Sequence, residues 1–236
     1  MTVLRTLTAL ALGFHLGTPA AAQQQDARPG IAVLAFENGG SYGRNREDYD
    51  ALRRGVAGIL ISELSQNPRV RLVDRAETQR ILDEQALAES GRVDAATAAR
   101  IGRLVGARYM ITGTFIDLYG EFRLDARVID VETSEILATV RNDPKLKDVK
   151  QLHAIIQSVA QQLLAHDRFQ ARLAVATPAR RDVPTEALIL YSRALLYEDR
   201  GDRGHAIEYY QKALDQFPDF TEAQEGLRKA RGSESP

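Results

Sequence analysis

The stretch from Leu72 to Phe115 sets the tightest limits on the fold. A short strand ends at Asp74-Arg75, and a helical pattern carrying Asp83, Glu84 and Gln85 stops at Ser90-Gly91. A further helix begins behind Asp94 and ends in Leu104-Val105-Gly106-Ala107, and a strand from Tyr109 to Phe115 carries Gly113. Gly91 and Gly106 suit the left-handed position just past a helix, and Asp94 suits an N-cap. Upstream, Ile31–Phe36 is an unbroken apolar run, the pattern of a central strand covered on both faces. Leu52, Val56, Ile59, Leu60 and Leu64 recur at helical spacing between Tyr49 and Gln66, and Asn67-Pro68 stops that helix ahead of a strand at Val70–Val73. Strand, helix and strand form a βαβ unit, which requires parallel pairing. Tyr109–Leu118 and Phe122–Val131 read as a hairpin through Tyr119-Gly120. In its second strand Phe122, Leu124, Ala126 and Val128 alternate with Glu121, Arg123, Asp125 and Arg127, so one face is wet. Ile136–Val140 is a further strand, and a long helix over 149–173 turns Leu152, Ile155, Ile156, Val159 and Leu163 inward. The fold class is α/β, a mixed sheet of about five strands covered by helices over residues 30–173.

The order of strands, caps and glycines in Leu72–Phe115 resembles the soluble domain of the CsgG family, the outer-membrane channels that secrete curli subunits. The resemblance runs over Gly30–Leu173 and implies a sheet of the CsgG and TolB N-terminal kind. It also implies assembly through this domain, in rings or with other proteins, in secretion, flagellar outer-membrane parts or activation of cell-wall synthases. The family's channels extend two β-hairpins into the membrane, and a crossing strand needs about 9–11 residues. This chain turns through Tyr119-Gly120 at the first insertion point and holds only Arg141–Asp148, short, charged and proline-bearing, at the second. Ser134 stands where the family usually has Gly.

Residues 1–22 read as a signal peptide: Arg5, the apolar run Leu7–Leu16 and the small residues Ala20-Ala21-Ala22, with cleavage between Ala22 and Gln23. The chain has no Cys, which excludes disulfides, thiolate metal sites and a Cys nucleophile, and leaves no residue for the acyl anchor that CsgG-like lipoproteins carry. A net charge of −1 does not indicate a basic nucleic-acid surface, and no nucleic-acid partner is expected. No second run of about 20 apolar residues follows, so the mature chain is expected in the periplasm without an integral membrane segment.

Residues 174–184 read as a linker and 185–231 as a helical hairpin with a capping helix. Ala194, Tyr197, Ala206, Tyr210, Ala213 and Pro218 fall in the register of a tetratricopeptide repeat. The small residues let two helices approach, the tyrosines fill the space beside them, and Pro218 ends the second helix. One repeat cannot bury its own face, so it must pack on the first domain, another subunit or a partner.

Chemistry is not indicated. The four histidines are scattered, and His153 and His166 are not spaced to aim at one ion. Asp83 and Glu84 diverge on their helix. Asp117 reads as exposed, and Asn38–Arg46 as a flexible glycine-rich loop without a phosphate-binding motif. No catalytic, cofactor or metal site is expected. The leading reading is a non-enzymatic periplasmic interaction and assembly protein with protein partners, in the periplasm or at the outer membrane, and possible self-association. Two alternatives remain: a subunit of a curli-like secretion complex whose pore is another chain, and a ligand-binding domain using Asn38–Arg46.

Overall fold

The computed structural model describes residues 26, 28–84, 93–170 and 182–232. The stretch read as a signal peptide with its expected cleavage at Ala22-Gln23, the expected helix end at Gly91 and most of the expected 174–184 linker lie outside these residues.

β1 (Gly30–Val33) is fully buried at the centre of the sheet, because Ile31, Ala32 and Val33 have apolar layers on both sides. α1 (Arg46–Ser65) carries the chain to β3 (Arg71–Leu72), which pairs parallel to β1 as the βαβ pattern requires. α2 (Arg75–Glu84) and α3 (Ala95–Leu104) lead to β4 (Tyr109–Leu118), parallel to β1 on its other side. β5 (Glu121–Asp130) and β6 (Ile136–Arg141) follow antiparallel, giving the order β3-β1-β4-β5-β6. The Asp94 side chain accepts from the Thr97 amide at 2.7 Å to cap α3. Behind α3, Gly106 at φ 64° lets the Ala107 amide reach the Gly102 carbonyl at 2.8 Å and the Gly106 amide reach the Arg103 carbonyl at 3.3 Å.

Three sequence expectations need correction. The apolar run Gly30–Phe36 is not one strand: it stops at Val33, and a separate β2 (Glu37–Asn38) resumes pairing with β4. Val33 stands opposite Ile111 and Glu37 opposite Thr114, so the first strand holds one extra residue, a bulge. Strict alternation would send Phe36 to the side of Ala32 and Leu34. The bulge turns it instead into the larger core with Ile31 and Val33, against Gly113, where a Cβ would lie 2.1 Å from the ring. The helix over 149–173 is also broken. A 3-10 turn, Val149–Gln151, precedes α4 (Leu152–Ala165), and extended backbone at His166 separates α4 from α5 (Asp167–Gln170). Asp117 is buried rather than exposed. Ser134 takes the left-handed conformation itself, at φ 61°.

The two sheet faces differ. α2 and α3 cover a small core on one side, built on Ala32, Met110 and Ile129, while Arg123 is exposed and Asp125 and Arg127 are half-buried farther along β5. The other face packs on α1 and α4, and its core continues without a gap into α6 (Thr185–Asp199), α7 (Arg203–Gln216) and α8 (Thr221–Arg231). The C-terminal helices therefore dock on α1. A Cβ at Gly55 would lie 1.6 Å from Ser192 Oγ, and one at Gly58 would lie 2.7 Å from the Tyr191 hydroxyl. Tyr191 in turn packs on Phe220 at 5.0 Å and Tyr210 at 6.1 Å between ring centroids. Around this seam Asp199 accepts from Arg54 Nε at 2.7 Å and Arg75 Nη1 at 2.6 Å, and Arg193 donates to Asp48 at 2.8 Å. Burial opposes the Arg75 charge, yet Asp199 and Glu198 hold its pKa above the ordinary value. The chain entering α6 is fixed too: Val183 is buried, and Thr185 Oγ1 donates to the Val149 carbonyl at 2.7 Å.

Gly55→Ala should lower stability by about 1–3 kcal/mol through overpacking. Adding Ser192→Gly should return part of that loss despite its own helix penalty, and a denaturant-unfolding double-mutant cycle showing no coupling would contradict the contact. Asp199→Ala should cost about 3 kcal/mol, since two arginines lose their shared carboxylate; chemical denaturation at neutral pH reads this directly. Tyr210→Ala should cost about 3–5 kcal/mol. Tyr197→Ala should cost distinctly less, because Tyr197 is only half-buried. Equal melting temperatures for the two variants would refute this assignment.

Candidate interaction surface

The loop after β2 is pinned rather than flexible. Asn38 Oδ1 accepts from the Gly40 amide, the Ser41 amide and the Ser41 hydroxyl at 2.7–3.1 Å. Ser41 Oγ also accepts from the Asp117 amide at 2.9 Å, and the Tyr42 amide donates to the Asp117 carbonyl at 2.7 Å. Tyr42 thus extends the sheet by a parallel bridge to Leu118. The Arg44 amide donates to the Tyr49 hydroxyl at 3.1 Å, and Asn45 caps α1 through the Asp48 amide at 2.8 Å.

Asp117 is the centre of this arrangement, at 1% exposure. Its carboxylate accepts from the Gly120 amide at 2.7 Å and the Tyr49 hydroxyl at 3.2 Å, with Arg44 Nε 3.9 Å away. Burial, followed by the Asp117 charge and hydrogen bond, pushes the Tyr49 pKa up to about 12, so the phenol stays protonated and remains a donor. The Gly39, Gly40, Ser41, Tyr42 and Arg44 amides are committed to protein acceptors.

These bonds clamp the β4–β5 turn. Tyr119 (φ 54°) and Gly120 (φ 98°) are both left-handed, as a two-residue turn of the I′ kind demands. For Tyr119 this conformation is strained. The Tyr119 amide donates to the Tyr42 carbonyl at 3.0 Å on one side, and the Val149 amide to the Gly120 carbonyl at 2.8 Å on the other. What the clamp presents is apolar: Tyr119 is 83% exposed, Tyr42 61% and Leu118 50%, with the two rings stacked at 6.5 Å. Beside them a trough of about 390 Å³ is lined by Ile116, Leu118 and Pro144 together with Arg123, Arg141 and Lys147. Asp125 serves both Arg123 and Arg141, and Glu121 serves Lys147, so cations outnumber acids there.

Sequence reasoning missed all three apolar residues of this tip. The available signal was a tyrosine in a position that favours Asn or Gly, with a second tyrosine inside a glycine-rich loop. The residues it did single out in 185–231 differ in burial. Ala194, Ala206, Tyr210 and Ala213 are buried, Tyr197 is half-buried with its hydroxyl donating to Glu47 at 2.9 Å, and Pro218 is exposed. His205 stacks on Tyr197, and His153 is sealed in the core 3.6 Å from Glu63, which also accepts from Gln157. Among the described residues no group of three His, Asp or Glu side chains is arranged to hold a metal ion.

No curated protein matches the chain. Solved structures similar to it include the LpoB C-terminal domain from Salmonella enterica, 20% identical over 51% of this chain and 84% of that one, with a TM-score of 0.35. The PelC dodecamer from Paraburkholderia phytofirmans is 14% identical over 58% of this chain and 87% of that one, at 0.35. Lipoprotein GNA1162 from Neisseria meningitidis is 13% identical over 57% and 96%, at 0.36. The family model described as curli production assembly/transport component CsgG matches residues 18–122, from ahead of β1 to the start of β5, so this segment is similar to the CsgG family.

Proposed function

We propose that this protein is a non-enzymatic interaction and assembly factor of the periplasm, which binds a protein partner through the Tyr42–Leu118–Tyr119 tip. The observation that carries the reading is an apolar tip held rigid from both sides. Three large side chains are kept in water by a strained turn and a network of hydrogen bonds around Asp117. Folding alone gives no reason to expose them, whereas a rigid aromatic platform loses little conformational entropy on binding. The surplus of cations in the adjoining trough favours a partner segment that combines apolar and acidic side chains.

The CsgG-like segment supports an assembly role. Where the family's channels extend their first membrane hairpin, this chain turns in two residues. The second connection is folded back by Asn142, whose side-chain amide donates to the Leu146 carbonyl at 2.7 Å while its Oδ1 accepts from the Leu124 amide at 2.7 Å. Neither segment holds spare length for strands of about 9–11 residues. Among the described residues no helix is long and apolar enough to cross a membrane. The tetratricopeptide-like hairpin spends its apolar face on α1, so in this reading it braces the domain. A second reading, in which the partner is the pore of a secretion complex, uses the same tip and differs only in what is captured. The committed amides of Gly39, Gly40, Ser41, Tyr42 and Arg44 weigh against ligand binding by the Asn38–Arg46 loop.

Tyr119→Asn separates binding from stability. Asn tolerates the left-handed conformation, so the variant should gain about 1 kcal/mol while losing the largest exposed ring. With a photo-crosslinking residue in place of Tyr42, the otherwise wild-type chain should capture a discrete envelope protein in cells. Adding Tyr119→Asn should abolish that capture. Undiminished capture by the more stable variant would sink the proposal, and an outer-membrane channel as the captured species would select the second reading.

A further inference from the structure

The sheet contains a second feature that the docking tip does not use. β1 leaves through α1 to β3 on one side, while β4 arrives on the other from α2 and α3. In open α/β sheets, the crevice beyond the carboxyl end of a strand at such a reversal is where small ligands bind. Here the bulge widens it: β1 stops at Val33, the chain steps away through Leu34 and Ala35, and a cleft of about 100 Å³ remains against β4, α1 and α2.

The polar groups in this cleft are unusual. Thr112 is 5% exposed, and its hydroxyl has no hydrogen-bond partner among the described residues. A buried hydroxyl left unmatched costs about 1–3 kcal/mol and calls for a reason. Arg53 is half-buried and gives only its Nε, to the Phe36 carbonyl at 3.2 Å. Among the described residues no carboxylate comes within ion-pair distance of its guanidinium, although Arg54 and Arg75 both have partners. Burial and then the neighbouring Arg54 charge depress the Arg53 pKa, while Asp50 and Glu37 act in the opposite direction. Glu37 is itself engaged, accepting from the Val93 amide at 2.9 Å. Leu34, Ala35, Leu82 and Val93 supply the apolar walls, and Arg54 and Gln79 border the cleft beside Arg53 and Glu37.

We infer that this cleft is a binding site for a small carboxylate with a short branched apolar body. The two free Nη groups of Arg53 form a planar fork matched to a carboxylate. Leu34, Leu82 and Val93 enclose the hydrocarbon, and the Thr112 hydroxyl finds in the ligand the partner that the fold denies it. The cleft shares no residue with the docking tip or its trough, so it stands independently of the proposed partner.

Isovalerate is the probe, with 3-methylbutanol as its uncharged counterpart and inorganic phosphate as an oxyanion without a hydrocarbon body. Titrated into the purified protein and followed by calorimetry and amide NMR shifts, isovalerate should bind saturably and move Leu34, Val93 and Thr112. The alcohol should bind at least about tenfold more weakly, a difference of about 1.4 kcal/mol. Arg53→Met keeps the aliphatic stem and should lose isovalerate to the same degree. Thr112→Val removes the orphaned hydroxyl, so it should weaken binding without lowering the melting temperature. Absent saturation, equal binding of acid and alcohol, or unchanged affinity in Arg53→Met would each overturn the site. Phosphate binding as tight as isovalerate would overturn its apolar half. Tyr119→Asn should leave isovalerate binding unchanged.

Discussion

The contact between Gly55 of α1 and Ser192 of α6 is the constraint on which the C-terminal half depends. With a Cβ position only 1.6 Å from Ser192 Oγ, no side chain larger than hydrogen fits without moving one helix. Gly58 extends the same flat stripe to Tyr191. Two helices this close exclude water along their seam, and Tyr191 carries the contact outward into Tyr210 and Phe220. A helical pair that could not bury its own face thus shares one continuous core with the sheet. The paired Asp199 and Arg193 at its edges add orientation: they fix which face of the hairpin meets α1 more than they add net stability.

A second constraint, the extra residue between Val33 and Glu37, organises the other end of the sheet. Turning Phe36 into the large core requires a strand opposite it with no side chain, which Gly113 supplies. The same step lets β2 rejoin β4 three residues farther along and delivers Asn38 and Ser41 to the end of β4. One irregularity therefore both opens the cleft beside Thr112 and anchors the loop that presents Tyr42.

Regular elements were legible because their signals are local. The five apolar positions of α1 are each buried to 0% exposure, the βαβ pairing is parallel, and Asp94 and Gly106 close α3 as their chemistry predicts. The alternation along β5 separates the buried and wet rows through Val128, where a register shift ends it. What stayed hidden depends on partners distant in sequence. Ile31–Phe36 is apolar throughout, so hydropathy carries no trace of a bulge that only Gly113 and the core explain. Asp117 looked like a turn carboxylate, and its burial rests on Tyr49, Ser41 and Gly120, which no spacing connects. The helix expected over 149–173 is apolar enough to continue, but the extended backbone at His166 breaks it. The small residues Gly55 and Gly58 lie between the larger apolar residues of α1, and no local spacing connects them to Ser192 and Tyr191.

The tip and the cleft differ in how their cost to the fold is met. At the tip, a left-handed tyrosine and a buried carboxylate are each balanced by several local hydrogen bonds, so strain is held in a place that cannot relax. At the cleft, Arg53 and the Thr112 hydroxyl are left unbalanced within the described fold. The two patterns suit different tasks. A surface for a large partner gains from rigidity, because every fixed ring reduces what association must order. A site for a small molecule gains from unmet polar demand, because a ligand with few atoms must draw most of its affinity from groups that the protein alone cannot satisfy.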